Sequence, residues 1–243
     1  MRWQHEVSSD WLRARNKYLT ATDIVKLWPS AKKWEPGKPY PAPFVGLWFE
    51  KHSACDPNPV SFDSAARGHC MEPFAVLDAN RIYQKNFHHW DDVIVTHGSI
   101  GFSPDAMDIP QPVLPVEEPW DSKVFDGARE IMEVKCFLPY HHGQCVVNGM
   151  EEEQLMQVAM AFVVLPQLDT AHVLYYCPGA FIDVEKYVVS RGDAKPFIER
   201  IDKVVEIWEK LGKAVAGLGG NYADFTEEEI NKISMKTYEL EVQ

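Results

Sequence analysis

Ser103-Pro104-Asp105, followed further along by Ile131-Met132-Glu133-Val134-Lys135-Cys136, are the two segments on which the reading of this 243-residue sequence turns. In a β-strand successive side chains point to opposite faces, so Glu133 and Lys135 share one face while Val134 points into a core. Two apolar residues before Glu133 fit a buried strand that emerges at a site edge. Asp105, placed after a proline kink on a neighbouring strand, can meet Glu133 across the sheet. Hard oxygen ligands of this kind, with positions left for water, suit Mg²⁺, with Mn²⁺ as a substitute. Such an ion polarises a phosphate oxygen and activates a bound water. An ammonium beside it orients the nucleophile and offsets negative charge in the transition state. A lone E-x-K triplet is more often a solvated strand face. The acidic Ser-Pro-Asp segment is what raises it above that.

Around these segments the periodicity predicts helices and strands in alternation. Residues 8–28 read as two short helices, the first capped by Ser9 or Asp10 and the second by Thr20 or Thr22. Seven prolines fall in residues 29–60, around a short helix from Val45 to His52, which predicts a surface excursion. Apolar Ala66, Cys70, Phe74 and Leu77 give residues 64–80 a helical period. DVIVTHG and IGFSPDAMDI predict two strands joined as a hairpin at His97–Gly98, and a Pro-rich acidic loop insertion occupies 110–127. A strand over 130–137, a helix over 151–164 and strands over 171–177 and 182–190 follow. Phe197, Ile201, Val204, Val205 and Trp208 mark a long amphipathic helix. The order describes a single α/β domain over 1–243, a central mixed β-sheet flanked by helices.

Composition sets broad limits. A hydrophobic fraction of 46% and a charged fraction of 25% are those of an ordinary globular protein. No apolar run reaches membrane-spanning length, and the first residues lack the apolar region of a secretion signal. Five cysteines without a CxxC pair fit reduced thiols, so a cytoplasmic location is expected. The net charge of −12 argues against a nucleic-acid partner on its face. Residues 1–51, however, hold nine Lys/Arg against five Asp/Glu, a balance of +4 that leaves −16 for the remainder. A basic N-terminal part on an acidic body permits a local phosphate-binding surface. No phosphate-binding G-x-x-x-x-G-K-[ST] loop and no GxSxG nucleophile motif is present.

Five short patterns, in order from Trp11 to the C-terminal helix, carry a resemblance. They are W11-L-R-A-R15 with T20-A-T22-D23; A66-R67-G68-H69-C70-M71-E72; F102-S103-P104-D105-A106; E133-V134-K135-C136; and Q154-L-M-Q157-V-A-M160. In this the chain resembles the lambda-exonuclease or YqaJ-type viral recombinase family, within the PD-(D/E)xK nuclease superfamily. The resemblance implies a restriction-endonuclease-like core and a 5′→3′ exonuclease acting on linear double-stranded DNA. It implies that Asp105, Glu133, the Val134 carbonyl and Glu72 hold Mg²⁺, with Lys135 and Gln157 as further catalytic groups. Arg15 and Thr22 match positions that grip a 5′ phosphate. A ring-shaped trimer and a single-strand annealing partner are implied as well.

Departures from the pattern are equally legible. Ala106 stands where Gly is usual after Ser-Pro-Asp, and the glutamines stand three apart, so Gln154 and Gln157 share one helical face and compete. Trp28, Trp34 and Trp48 are read as core before they are read as base-stacking platforms. Cys136, His141, His142 and Cys145 lie close together, although their spacing matches no established zinc motif. Two other readings stand beside the exonuclease: an endonuclease of the same fold, and a non-catalytic DNA-binding or assembly module.

Overall fold

The computed structural model describes residues 9–52, 63–91, 93–111, 120–121 and 125–217. The E-I-M-E-V-K run forms a six-residue strand, β6 (Glu130–Lys135), at the middle of a five-stranded sheet. Its neighbours are β4 (Ala106–Met107), antiparallel, and β7 (Thr170–Tyr176), parallel. The sheet is completed by β1 (His88–His89) beside β4 and β8 (Val184–Ser190) beside β7, both antiparallel, so the sheet is mixed, as expected. Strand alternation separates two cores. Ile131, Val173 and Tyr175 enter the larger one, while Met132, Val134, Leu174 and Tyr176 enter a smaller one on the opposite face.

The smaller core is closed by α4 (Asp63–Tyr83), and here one expectation needs correction. The predicted stripe through Phe74 and Leu77 is solvent-exposed, at 59% and 68%; Ala75, Val76 and Ala79 face the sheet instead. Small side chains let the helix approach the strands closely. The same stripe, continued one and two turns back, carries Glu72 and Gly68.

The larger core packs α2 (Ala21–Ala31), α3 (Ala42–His52), α6 (Glu152–Val164) and α7 (Arg191–Gly217) together. Phe44, Val45, Trp34 and Trp48 are buried in it, and Trp28 packs partly buried against it. Within the expected surface excursion residues 35–39 are indeed exposed, but Ala31, Trp34, Tyr40, Phe44, Val45 and Trp48 anchor it in the core, so these tryptophans are not stacking platforms. Residues 53–60 lie outside the described set. Helix α7 starts earlier than its apolar period suggested, because Ser190 and Asp193 form a reciprocal cap. The Ser190 N–H donates to Asp193 Oδ2 (3.0 Å) and the Asp193 N–H to Ser190 Oγ (3.2 Å).

The hairpin is present as β2 (Val95–His97) and β3 (Ile100–Phe102), turning at Gly98 with φ +60°. IGFSPDAMDI is not one strand, however. Pro104 has no N–H to give a ladder, and the Ser-Pro-Asp bend carries the chain from the hairpin's sheet to β4 of the larger one. Part of the 110–127 loop, β5 (Trp120–Asp121), joins the hairpin in parallel to β2; residues 112–119 and 122–124 lie outside the described set.

One close approach fixes the N-terminal helices to this frame. Leu19 bridges to β3: its N–H donates to the Ser99 carbonyl and its carbonyl accepts from the Gly101 N–H, both at 2.9 Å. A Cβ on Gly101 would lie 2.9 Å from Tyr18 Cβ and 2.7 Å from Ile94 Cδ1. Gly101→Ala is expected to lower unfolding free energy by about 1–3 kcal/mol through overpacking, as read by chemical denaturation.

Candidate active site

The β4–β6 register pairs Ala106 with Met132, and one step on it sets Asp105 beside Glu133. Ala106 takes an ordinary strand conformation there and is fully buried, so the missing glycine requires no left-handed turn. Glu133 is 5% exposed and accepts from Lys135 Nζ at 2.5 Å, its neighbour on the same face of β6. Asp105 Oδ2 accepts from the Val134 N–H at 2.6 Å. That bond spans the two strands and aims the carboxylate.

Charge is crowded at this point. Burial and then the nearby Glu133 and Glu72 push the Asp105 carboxyl well above its usual range, against the pull of Lys135 and the Val134 N–H. Burial opposes the charged form of Lys135, but Glu133 and Asp105 outweigh it and raise its pKa, so it stays an ammonium. Glu72 comes from the middle of α4, and its carboxylate lies 3.3 Å from His69 Nδ1 and 3.8 Å from His89 Nε2. Burial works to raise Glu72, yet the two histidines outweigh it and hold it at about 2.

A single cleft of about 780 Å³ is lined by Asp105, Glu133, Val134, Lys135, Glu72, Gln157, Arg15 and Thr22, so the residues that the family resemblance assigns to metal, catalysis and phosphate share one space. Thr20 is the residue that caps α2. Its N–H and hydroxyl donate to Asp23 Oδ2 at 2.9 and 2.8 Å, which leaves Thr22 in the first turn, on the cleft wall. Arg15, in the last turn of α1 (Ser9–Asn16), lies over the Trp11 ring at 5.0 Å. Burial lowers its pKa, and Asp23, Glu133 and Asp105 work in the opposite direction.

The structure also chooses between the glutamines. Gln154 is occupied by a cap: its Oε1 accepts from the Glu151 N–H (2.6 Å) and from Tyr175 (3.0 Å). Gln157 lines the cleft, and its buried Oε1 has no hydrogen-bond partner.

Hard oxygen donors, a carboxylate raised by burial and by its acidic neighbours, and an orphaned amide oxygen together fit a divalent cation. The oxygens of Asp105, Glu133 and Glu72 are not all within 4.8 Å of one another, the only described set so close being His141, Cys145 and Glu151. The quartet of Cys136, His141, His142 and Cys145 does not assemble. His142 is buried with Nε2 2.6 Å from the Ile182 carbonyl, and Cys136 lines the cleft.

Several contributors escaped the sequence. Lys51, at the end of α3, forms a buried 2.9 Å ion pair with Asp23. Arg67 Nη1 donates to the Cys136 carbonyl at 2.9 Å and ties α4 to the end of β6. His69 stands one turn before Glu72 and was readable as an i, i+3 pair. His89 and Lys51 arrive from distant elements and left no local signal.

No protein-family model matches the chain, and no curated protein does. Solved structures do. An alkaline exonuclease (LHK-Exo) from Laribacter hongkongensis is 14% identical, with 87% of this chain and 100% of that one covered, at a TM-score of 0.54. The same enzyme in complex with dAMP is 15% identical, with the same coverage and TM-score. A phage related exonuclease from Haemophilus somnus 129PT is 8% identical over 89% of this chain and 98% of that one, and its TM-score of 0.42 is too low to bear on the fold. The chain has the fold of the Laribacter alkaline exonuclease, in keeping with the lambda-exonuclease and YqaJ-type resemblance of its motifs.

Proposed function

We propose that the chain is a metal-dependent exonuclease that works 5′→3′ on linear double-stranded DNA and leaves 3′ single strands for phage-type recombination. The observation that carries this is the convergence in one cleft of Asp105, Glu133 and Lys135 with Arg15 and Thr22. That the similar solved structures are described as exonucleases, one of them holding dAMP, supports the same reading.

Asp105, Glu133, the Val134 carbonyl and Glu72 would hold Mg²⁺, or Mn²⁺ in its place. The ion, when bound, polarises the scissile phosphate and lowers the pKa of a water. Lys135 orients the attacking water and offsets charge on the phosphate oxygens. Gln157 offers its free Oε1 to a hydrogen on that water. Arg15 and Thr22 grip a terminal phosphate, the guanidinium by paired N–H donors and the hydroxyl by one more. A group that grips a chain end has no use in mid-duplex, which favours an exonuclease over an endonuclease. Following the same resemblance, the assembly is a ring-shaped trimer and the partner a single-strand annealing protein in the cytoplasm. Among the described residues no helix is long and apolar enough to cross a membrane.

With Mg²⁺ the purified chain should shorten linear duplex and spare covalently closed circles. Equal attack on circles makes it an endonuclease, and tight binding without cleavage makes it an assembly module. Arg15→Ala should raise KM for 5′-phosphorylated ends by roughly 10- to 100-fold, the worth of one or two charge-assisted bonds, and change 5′-hydroxyl ends far less. An equal effect on both ends removes Arg15 from phosphate recognition.

A further inference from the structure

We propose that His141, Cys145 and Glu151 form a second metal site, for a zinc-type divalent cation, at the lip of the cleft and distinct from the carboxylate centre. An imidazole nitrogen, a sulfur and a carboxylate oxygen from these residues all lie within 4.8 Å of one another. The local sequence explains the convergence. His141 and Cys145 are four apart on α5 (Pro139–Asn148) and so share one face. Gly149, at φ +86°, ends that helix and turns the chain so that Glu151 folds back over the same face as the N-cap of α6.

The donor set is that of zinc rather than magnesium. Sulfur and imidazole select Zn²⁺, Co²⁺ or Ni²⁺ over hard cations, and thiolate with carboxylate neutralises a double charge. His141 Nε2 lies 3.0 Å from Glu151 Oε1, and the Cys145 thiol donates to the same oxygen at 3.9 Å. A tetrahedral ion would draw its ligands to about 3.3–3.6 Å from one another, given its bond lengths of roughly 2.0–2.3 Å. Rotation of the His141 and Glu151 side chains, 43% and 50% exposed, can supply that. Cys145, 2% exposed, forms the base, and entry is over the other two. On binding, the thiol proton leaves to solvent, the imidazole carries its hydrogen on Nδ1, and water takes the fourth position.

An outer shell already holds the carboxylate. Gln154 Nε2 donates to Glu151 Oε2 at 3.2 Å, and Tyr175 on β7 donates to Gln154 Oε1 at 3.0 Å. His141 lines the cleft and stacks on Phe137 at 4.1 Å. A cation there would join α5, which follows the catalytic strand, to the start of the helix that carries Gln157.

The test uses Co²⁺ on the full chain carrying Asp105→Asn, so that it stands or falls apart from the nuclease reading. A thiolate-to-cobalt charge-transfer band should saturate at one equivalent and disappear on adding Zn²⁺. Cys145→Ser should remove the band, and His141→Ala or Glu151→Gln should weaken Co²⁺ affinity at least about tenfold. Absence of the band in the parent protein overturns the site, as does its persistence in Cys145→Ser, which would point to Cys136. Should Cys145→Ser fail to fold, unchanged affinity in both half-exposed variants overturns it equally.

Discussion

Lys135→Ala is expected to lower kcat on linear duplex by roughly 10²- to 10³-fold, the cost of removing one preorganised charge donor, while DNA affinity stays within a few-fold. The ammonium is 2.5 Å from Glu133, and acidic neighbours hold it charged throughout the working pH range. On the proposed mechanism it acts on the reacting water and phosphate rather than binding the duplex. Its loss also leaves Glu133, 5% exposed, without its ion-pair partner, so some fall in metal-free stability is expected. Three measurements separate these effects: single-turnover cleavage, fluorescence anisotropy with labelled DNA, and a thermal melt. Cleavage at the parental rate would remove Lys135 from the mechanism. Loss of binding in step with cleavage would make it a structural residue.

Asp105→Asn should divide stability from activity. Asp105 has a folded-state pKa raised by burial and by Glu133 and Glu72. It binds its proton more tightly folded than unfolded, so stability falls as pH rises from the unfolded value of about 3.9 through the folded one. Above the unfolded value the metal-free protein is therefore destabilised by this carboxyl, whether it holds its proton or a buried charge. Asparagine removes the titration and keeps an oxygen that can accept from the Val134 N–H. The variant should melt higher than the parent without metal and lower its cleavage rate by about 10³-fold or more, beyond the effect of a single donor. Added Mg²⁺ should raise the melting temperature of the parent by mass action and leave the variant unmoved. A variant that melts lower than the metal-free parent would mean that the carboxylate is a net structural asset. An equal Mg²⁺ response in both would take Asp105 out of the metal site.

How far the sequence could be read depended on distance along the chain. The alternation in E-I-M-E-V-K placed Glu133 and Lys135 on one face without any help from packing. Ser-Pro-Asp announced an acidic residue after a bend, but the bend's role in passing the chain between two sheets was not visible. On α4 the apolar period suggested a stripe that the fold leaves exposed. Small alanines against the sheet decided which face was buried, and with it where Glu72 points. The two glutamines were equivalent by spacing. Tyr175 and the Glu151 N–H engage Gln154, so only Gln157 faces the cleft. The prolines of 29–52 looked like surface, yet Trp34 and Trp48 in that stretch pack into the core.

The sequence alone settled the local elements and the faces their side chains share, because 3.6- and 2-residue periods follow from backbone geometry within one segment. Tertiary structure alone decided which faces meet. Leu19 on β3 sets Arg15 at the cleft, His89 approaches Glu72, and Lys51 pairs with Asp23. Each of these joins residues far apart in the chain, through contacts that exist only once the cores have packed.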